Sequence, residues 1–292
     1  MKILLAIDHS AASHTAIDEV AARPWTAGTS VEVISVVDTK APWLTSEVIE
    51  EITRRTADLV ERAAERLTSR GLNATFQVFA GDPKEAIVGH AEDLRPDLLI
   101  AGPHGAGEIA LFLLGSVAKA IARLAPCSIE LVRKATSGGM KVLLATDGSD
   151  CSREAARSVA ERPWPDGTEV HVLSVVEYHL PFLQVTLEPS FINPSGMEKL
   201  REEAMQRAQS AIRTAEEIVS AAGLKTSESL SVLLESPQQV ILEEAKQWSA
   251  DLIVVGSHGH RGINRFLLGS ISEAVALHAE CSVELIRPPV KS

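Results

Sequence analysis

A chain of 292 residues with 45% apolar side chains has enough material for two domains of ordinary size, each with its own core. Its 39 acidic residues outnumber 28 basic ones, and the formal charge of -11 excludes a sequence-independent grip on nucleic acid or anionic lipid. The short apolar run between Lys2 and Asp8 is too brief for a signal-peptide core and no later run has membrane length, so a cytoplasmic location without a membrane partner is expected.

In chain order, KILLAI (2–7), VEVISVV (31–37), TFQVFA (75–80), DLLIAG (97–102) and SIELVR (128–133) are rich in Val, Ile and Leu, which predicts strands covered on both faces. Between them Val48, Ile52, Leu59, Ala63 and Leu67 define one side of a helix that Gly71 can terminate in a left-handed conformation. The polar linker 134–139 follows, and then the whole order returns from Lys141 to Arg287. RPWTAGTSVEVISVVD (23–38) reappears as RPWPDGTEVHVLSVVE (162–177), and Gly102, Gly105 and Gly115 reappear as Gly256, Gly259 and Gly269. Strand alternating with helix, twice, predicts two α/β domains, residues 1–134 and 140–288, each a doubly wound, parallel, five-stranded Rossmann-like sheet. The second copy carries extra residues, most of them in 178–196, expected near the mouth of a ligand site as a lid or partner surface.

In such folds ligands bind beyond the carboxyl ends of the strands, where the winding reverses. The glycine stretches after the fourth strand of each copy fall there, and glycine lets the backbone take positive φ angles and approach a ligand closely. Gly115-Ser116 and Gly269-Ser270 then open helices whose first amides and dipole suit a phosphate. No Gly-Lys-Ser or Gly-Lys-Thr phosphate loop is present, and the dinucleotide-like spacing Gly105-x-Gly107-x-x-Ala110 has no second copy. Cys127 and Cys281 begin apolar runs at equivalent positions and read as small buried side chains.

The pattern G-x2-G-x9-G-S, a first strand ending in Asp, and the duplication resemble the ATP-binding branch of the universal stress protein family over nearly the whole chain. The resemblance implies ATP as cofactor, held through phosphate contacts at Gly102, Gly105, Gly115 and Ser116 in the first copy and Gly256, Gly259, Gly269 and Ser270 in the second. Mg²⁺ or Mn²⁺ would ride on the phosphates. It also implies that Asp8 and Asp147 lie by the nucleoside and that Val36 and Val175 give backbone bonds to adenine. The residues themselves leave Asp8 and Asp147 open between a ligand acceptor and a helix cap.

The function expected is nucleotide-dependent signalling or stress response without a recognisable catalytic set; slow ATP hydrolysis stays open. Two alternatives stand beside it. An ATP-using enzyme is prompted by DGSDCS (147–152), which lacks the glycine pair of a phosphate loop, and an interaction module would keep the glycine loops as relics. The second site is expected to bind ATP more tightly: His260, Arg261 and Arg265 replace the neutral Ala106, Gly107 and Leu111, Glu108 stands in place of Gly262, and Pro103 in place of Ser257 removes a backbone donor and a hydroxyl. An internal pseudo-dimer is expected through antiparallel pairing of 128–133 with 282–287, placing Glu130 opposite Arg287 and Glu284 opposite Arg133; a homodimer of the whole chain stays open.

Overall fold

In a computed structural model, the structure describes residues 1–40, 45–105, 114–177, 194–233, 236–259 and 268–288. The first repeat runs β1 (Lys2–Ala6), α1 (Ala11–Ala22), β2 (Ser30–Val37), α2 (Ser46–Ser69), β3 (Asn73–Ala80), α3 (Pro83–Leu94), β4 (Leu98–Ala101), α4 (Ser116–Leu124) and β5 (Ser128–Leu131). The second runs β6 (Lys141–Ala145), α5 (Asp150–Glu161), β7 (Glu169–Glu177), α6 (Pro194–Ala221), β8 (Lys225–Leu233), α7 (Pro237–Trp248), β9 (Leu252–Gly256), α8 (Ser270–His278) and β10 (Ser282–Ile286).

Local chemistry sets the helix ends. The side chains of Ser10, Thr45, Asp82 and Ser149 accept first-turn amides of α1, α2, α3 and α5. Gly71, at φ +87°, closes α2 with its amide on Thr68 O and the Leu72 amide on Leu67 O, as its position after the periodic stretch predicts. At the ends of α3 and α7, Arg95 (φ 50°) and Ser249 (φ 57°) take the same left-handed conformation without being glycine.

The strands join one ten-stranded sheet in the order β3-β2-β1-β4-β5-β10-β9-β6-β7-β8. Pairing is parallel within each half, and β5 meets β10 antiparallel at the centre, so the expected internal pseudo-dimer forms through its last strands. Two expectations need correction. β3 is the outer edge and much of it is exposed, Phe76 included, so it is not covered on both faces; likewise Val48 at the start of α2 stands exposed.

The seam register also needs correction. Glu130 lies opposite Glu284, not Arg287, with Ile129 opposite Leu285 and Leu131 opposite Val283. The period of two explains it: Ile129, Leu131, Val283 and Leu285 all enter the apolar layer shared by α3, α4, α7 and α8, which sends Glu130 and Glu284 to the other face. Arg133 is an odd number of residues beyond Glu130 and cannot share its face.

On that other face the apolar layers of the two repeats are separate. Between them the Arg23 guanidinium forks onto both oxygens of Glu130, with Nη1 2.7 Å from Oε2, and its Nε reaches Glu19 at 2.7 Å. Arg162 forks in the same way onto Glu284. Burial works against the Arg23 charge, and the Glu130 carboxylate more than reverses that, leaving its pKa above the usual value. Burial also lifts the Glu284 carboxyl above its ordinary range, opposed by Arg162 and reinforced by Glu130.

Candidate functional site

Each half runs β3-β2-β1-β4-β5 or its copy, so the winding reverses between β1 and β4 and between β6 and β9. At the carboxyl ends of those two strand pairs lie Asp8 and Gly102 in one half and Asp147 and Gly256 in the other. The duplicated motif therefore sits at two topological switch points.

The glycines make room for neighbouring parts of the protein itself. None of Gly102, Gly105, Gly115, Gly256, Gly259 and Gly269 is among the positive-φ residues, so the expectation of unusual backbone angles does not hold for them. A Cβ on Gly102 would stand 2.8 Å from Ala12 Cβ, and one on Gly256 2.9 Å from both Cβ and the carbonyl carbon of Cys151. These two glycines seat the first turns of α1 and α5 against the strand ends. A Cβ on Gly105 would meet Asp8 Oδ2 at 2.8 Å, and one on Gly259 would meet Asp147 Oδ2 at 2.6 Å. The carboxylate at the end of the first strand thus presses on the loop that follows the fourth.

Each aspartate is tied through one carboxylate oxygen to the start of the helix that follows it, the capping side of what its sequence context leaves open. Asp8 Oδ1 accepts the Ser10 amide at 3.0 Å and the Ser13 hydroxyl at 2.7 Å, which ties it to the cap of α1, while Oδ2 faces Gly105. Asp147 Oδ1 accepts the Ser149 amide at 2.9 Å, with Oδ2 toward Gly259. The bracing hydroxyl of Ser13 is a site feature that motif spacing does not reveal. Its counterpart Ser152 donates instead to Ser149 O at 3.1 Å and lies 3.2 Å from Thr146 Oγ1.

Gly115 and Gly269 return the loops to the sheet. Their amides donate to Pro103 O at 2.7 Å and Ser257 O at 2.8 Å, and each glycine is then the N-cap of its helix, α4 or α8, with no side-chain cap bond. Ser116 and Ser270 are the first helical residues and are exposed. A helix start with no side-chain cap, at a switch point, has first-turn amides of the kind that suit an anionic group.

Val36 and Val175 fall where β2 and β7 outrun their neighbours. β1 pairs with β2 as far as Ala6 opposite Ile34, and the Ile7 amide adds one bond to Ile34 O at 2.9 Å. Alternate residues aim their backbone groups at the same edge, so the amide and carbonyl of Val36 point past the end of β1. The Thr146 amide on Leu173 O, at 2.8 Å, repeats this relation and orients Val175 likewise.

Pro103 requires a correction. In the second repeat the Ser257 amide donates to Ile286 O at 2.8 Å and the Ser257 hydroxyl lies 2.8 Å from His258 Nδ1, so the donor that proline lacks belongs to the sheet rather than to the anion cradle. Arg265, the other residues contrasted between the two loops (106–108, 111 and 260–262) and positions 178–193 of the insertion lie outside the described residues. Burial pushes the Cys127 thiol up to about 12 and the Cys281 thiol to about 11, as suits inert side chains, and all three cysteines are free. Among the described residues no helix is long and apolar enough to cross a membrane.

A doubly wound α/β sheet with a glycine-capped helix at its switch point defines the class: a Rossmann-like α/β fold, here present twice in one chain. Residues 1–133 and 140–287 each match the universal stress protein family, and the chain belongs to that family. A universal stress protein of Methanocaldococcus jannaschii is 32% identical over 162 residues, 55% of this chain and 89% of that protein. One from Mycolicibacterium smegmatis is 31% identical over 195 residues, 65% of this chain and 62% of that one. The crystal structure of a universal stress protein from Archaeoglobus fulgidus superposes over 100% of this chain and 97% of its own, with a TM-score of 0.67 at 20% identity, a likeness of fold.

Proposed function

We propose that the chain binds an adenine nucleotide at each switch point and that occupancy sets its conformation or its interactions, in the cytoplasm, without rapid turnover. One observation carries the reading: the same junction is built twice, with Asp8 against Gly105 and Asp147 against Gly259, each beside a glycine-capped helix. A Cβ at position 105 or 259 would occupy the space the carboxylate holds, and a side-chain cap at 115 or 269 would take the amides that a phosphate needs.

ATP fits the residues present. The amides at the starts of α4 and α8, with Ser116 and Ser270, would hold phosphate oxygens; Asp8 and Asp147 would accept from the nucleoside; the outrun backbone of Val36 and Val175 would meet the adenine edge. Mg²⁺ or Mn²⁺, carried on the phosphates, would neutralise part of their charge. The chain's own part in this is to bind and orient.

Two measurements test the reading. Mass spectrometry of freshly purified protein is expected to find an adenine nucleotide, and calorimetry of the stripped protein with Mg-ATP is expected to give heat that Gly115→Ala and Gly269→Ala together remove. A stripped, folded protein that gives no heat refutes it and leaves an interaction module.

A further inference from the structure

The helices that begin at the two candidate phosphate cradles end on arginines from the opposite repeat. Arg287, just beyond β10, donates from Nη2 to Ala122 O at 2.8 Å and Arg123 O at 3.0 Å, both in the last turn of α4. Arg133, just beyond β5, donates from Nη2 to Ala276 O at 2.6 Å in α8 and from Nη1 to Cys281 O at 3.4 Å. The backbone holds both arginines in matching ways: the Arg287 amide donates to Ser128 Oγ and the Arg133 amide to Ser282 Oγ, each at 3.1 Å. Arg287 is 8% exposed.

We propose that Arg287 and Arg133 are positioning residues acting across the seam, each holding the phosphate-binding helix of the other repeat's nucleotide site. The inference rests on the nucleotide reading for its ligand; the arginine caps themselves are geometry. α4 and α8 have nine residues each, a length at which a helix in water is marginal without outside contacts. The last carbonyls of such a helix have no partner within it and carry the negative end of its dipole. A guanidinium bonded to them supplies both the missing donors and the complementary charge. The far end of the same short helix is the cradle, Gly115-Ser116 or Gly269-Ser270. Fraying from one end of nine residues reaches the other within about two and a half turns, so an unpinned helix presents its first amides less of the time, and a ligand's apparent affinity falls by that fraction.

In the second repeat, backbone bonds independent of the Arg287 side chain tie the end of β10 to that repeat's own cradle. Arg287 follows Ile286, whose carbonyl accepts the Ser257 amide at 2.8 Å; Ser257 O in turn accepts the Gly269 amide at 2.8 Å. The first repeat cannot form the first of these links, because Pro103 has no amide hydrogen.

The test uses the full chain and Mg-ATP. Gly269→Ala isolates the first site for calorimetry and Gly115→Ala isolates the second. Adding Arg287→Ala is expected to weaken the first site roughly three- to tenfold and leave the second within about twofold, with Arg133→Ala giving the reverse pattern. Arg287→Lys keeps the charge on a shorter side chain, and is expected to recover part of the loss; it also serves if the alanine variant does not fold. Amide hydrogen exchange without nucleotide gives a second readout: Arg287→Ala is expected to speed exchange at 121–125 and leave 275–279 unchanged. Equal weakening of both sites, or of neither, overturns the proposal. If the unsubstituted protein takes up no Mg-ATP, the nucleotide reading has failed, and exchange alone decides the cap: acceleration confined to α4 upholds it and no acceleration overturns it.

Discussion

Glu130 and Glu284 face each other across the β5–β10 seam with exposures of 0% and 1%, and each is gripped by an arginine that follows the first helix of its own repeat. Two like charges at this spacing would oppose association, so the seam depends on Arg23 and Arg162. Arg23→Ala leaves Glu130 buried without its main partner and is expected to cost about 3–5 kcal/mol in urea denaturation. Arg23→Lys is expected to recover only part of this, since an ammonium cannot fork onto two oxygens. A loss below about 1 kcal/mol in Arg23→Ala would mean that water or a rearranged neighbour solvates the glutamate.

The same cluster predicts a pH dependence. Because burial raises the Glu284 pKa, the folded chain keeps a proton there over an interval above 4.5 in which the unfolded chain has lost it. Stability from this group therefore rises as pH falls through the raised value and levels off below the ordinary one; above the raised value the burial penalty is carried in full. The partly exposed carboxylates Glu51, Asp82 and Glu169, lowered chiefly by bonds from Arg54, Lys40 and Lys225, slope the other way and are shared by parent and variant. In Glu284→Gln, the variant-minus-parent stability is expected to shift toward the variant as pH rises from about 5 to about 8. A difference independent of pH would count against a raised pKa.

Neighbouring glycines of one motif are expected to fail differently. At Gly102 an added methyl meets the Ala12 backbone at 3.1 and 3.3 Å, so Gly102→Ala is expected to destabilise the fold by about 1–3 kcal/mol, read by thermal or urea denaturation. At Gly105 it meets only the Asp8 carboxylate, the end of a side chain that can turn away. Gly105→Ala is expected to change stability by less than about 1 kcal/mol while weakening Mg-ATP binding at the first site. Similar losses in both variants would show that the motif is one packing unit.

Arg95 and Ser249 close α3 and α7 in the left-handed region, where a side chain costs roughly 1–2 kcal/mol against glycine. Ser249→Gly is expected to raise stability by about 0.5–1 kcal/mol after the entropy that glycine brings to the unfolded chain. Denaturation of that single variant checks it, and a loss of stability would show that the Ser249 side chain has a compensating role.

The fold and the place of the candidate site in it were legible because they rest on local pattern. Apolar runs of strand length, the spacing of Gly102, Gly105 and Gly115, and their return at Gly256, Gly259 and Gly269 all lie in short windows. The seam register was not, because charge matching between Glu130 and Arg287 competes with the face assignment of Ile129 and Leu131, and burial of apolar surface wins. Arg23 on Glu130 and Arg287 on Ala122 join residues far apart in sequence with no periodic signature. One long-range tie was readable once the repeats are aligned. Glu32 and His90 become His171 and Glu244, and both pairs sit 3.1 Å apart, the partners exchanged between strand and helix.

The linker 134–139 changes what the seam demands of the two halves. Separate domains meeting through β5 and β10 would dissociate on dilution, whereas a short tether holds them at an effective concentration on the order of millimolar whatever the amount of protein. The tether is itself fastened, since the Thr136 amide donates to Glu19 at 2.7 Å, and Ser158, the counterpart of Glu19, has no carboxylate to offer. Two free copies of one domain would have to be identical at such positions. Joined, they are released from that symmetry, and one half can keep proline at 103 while the other keeps serine at 257.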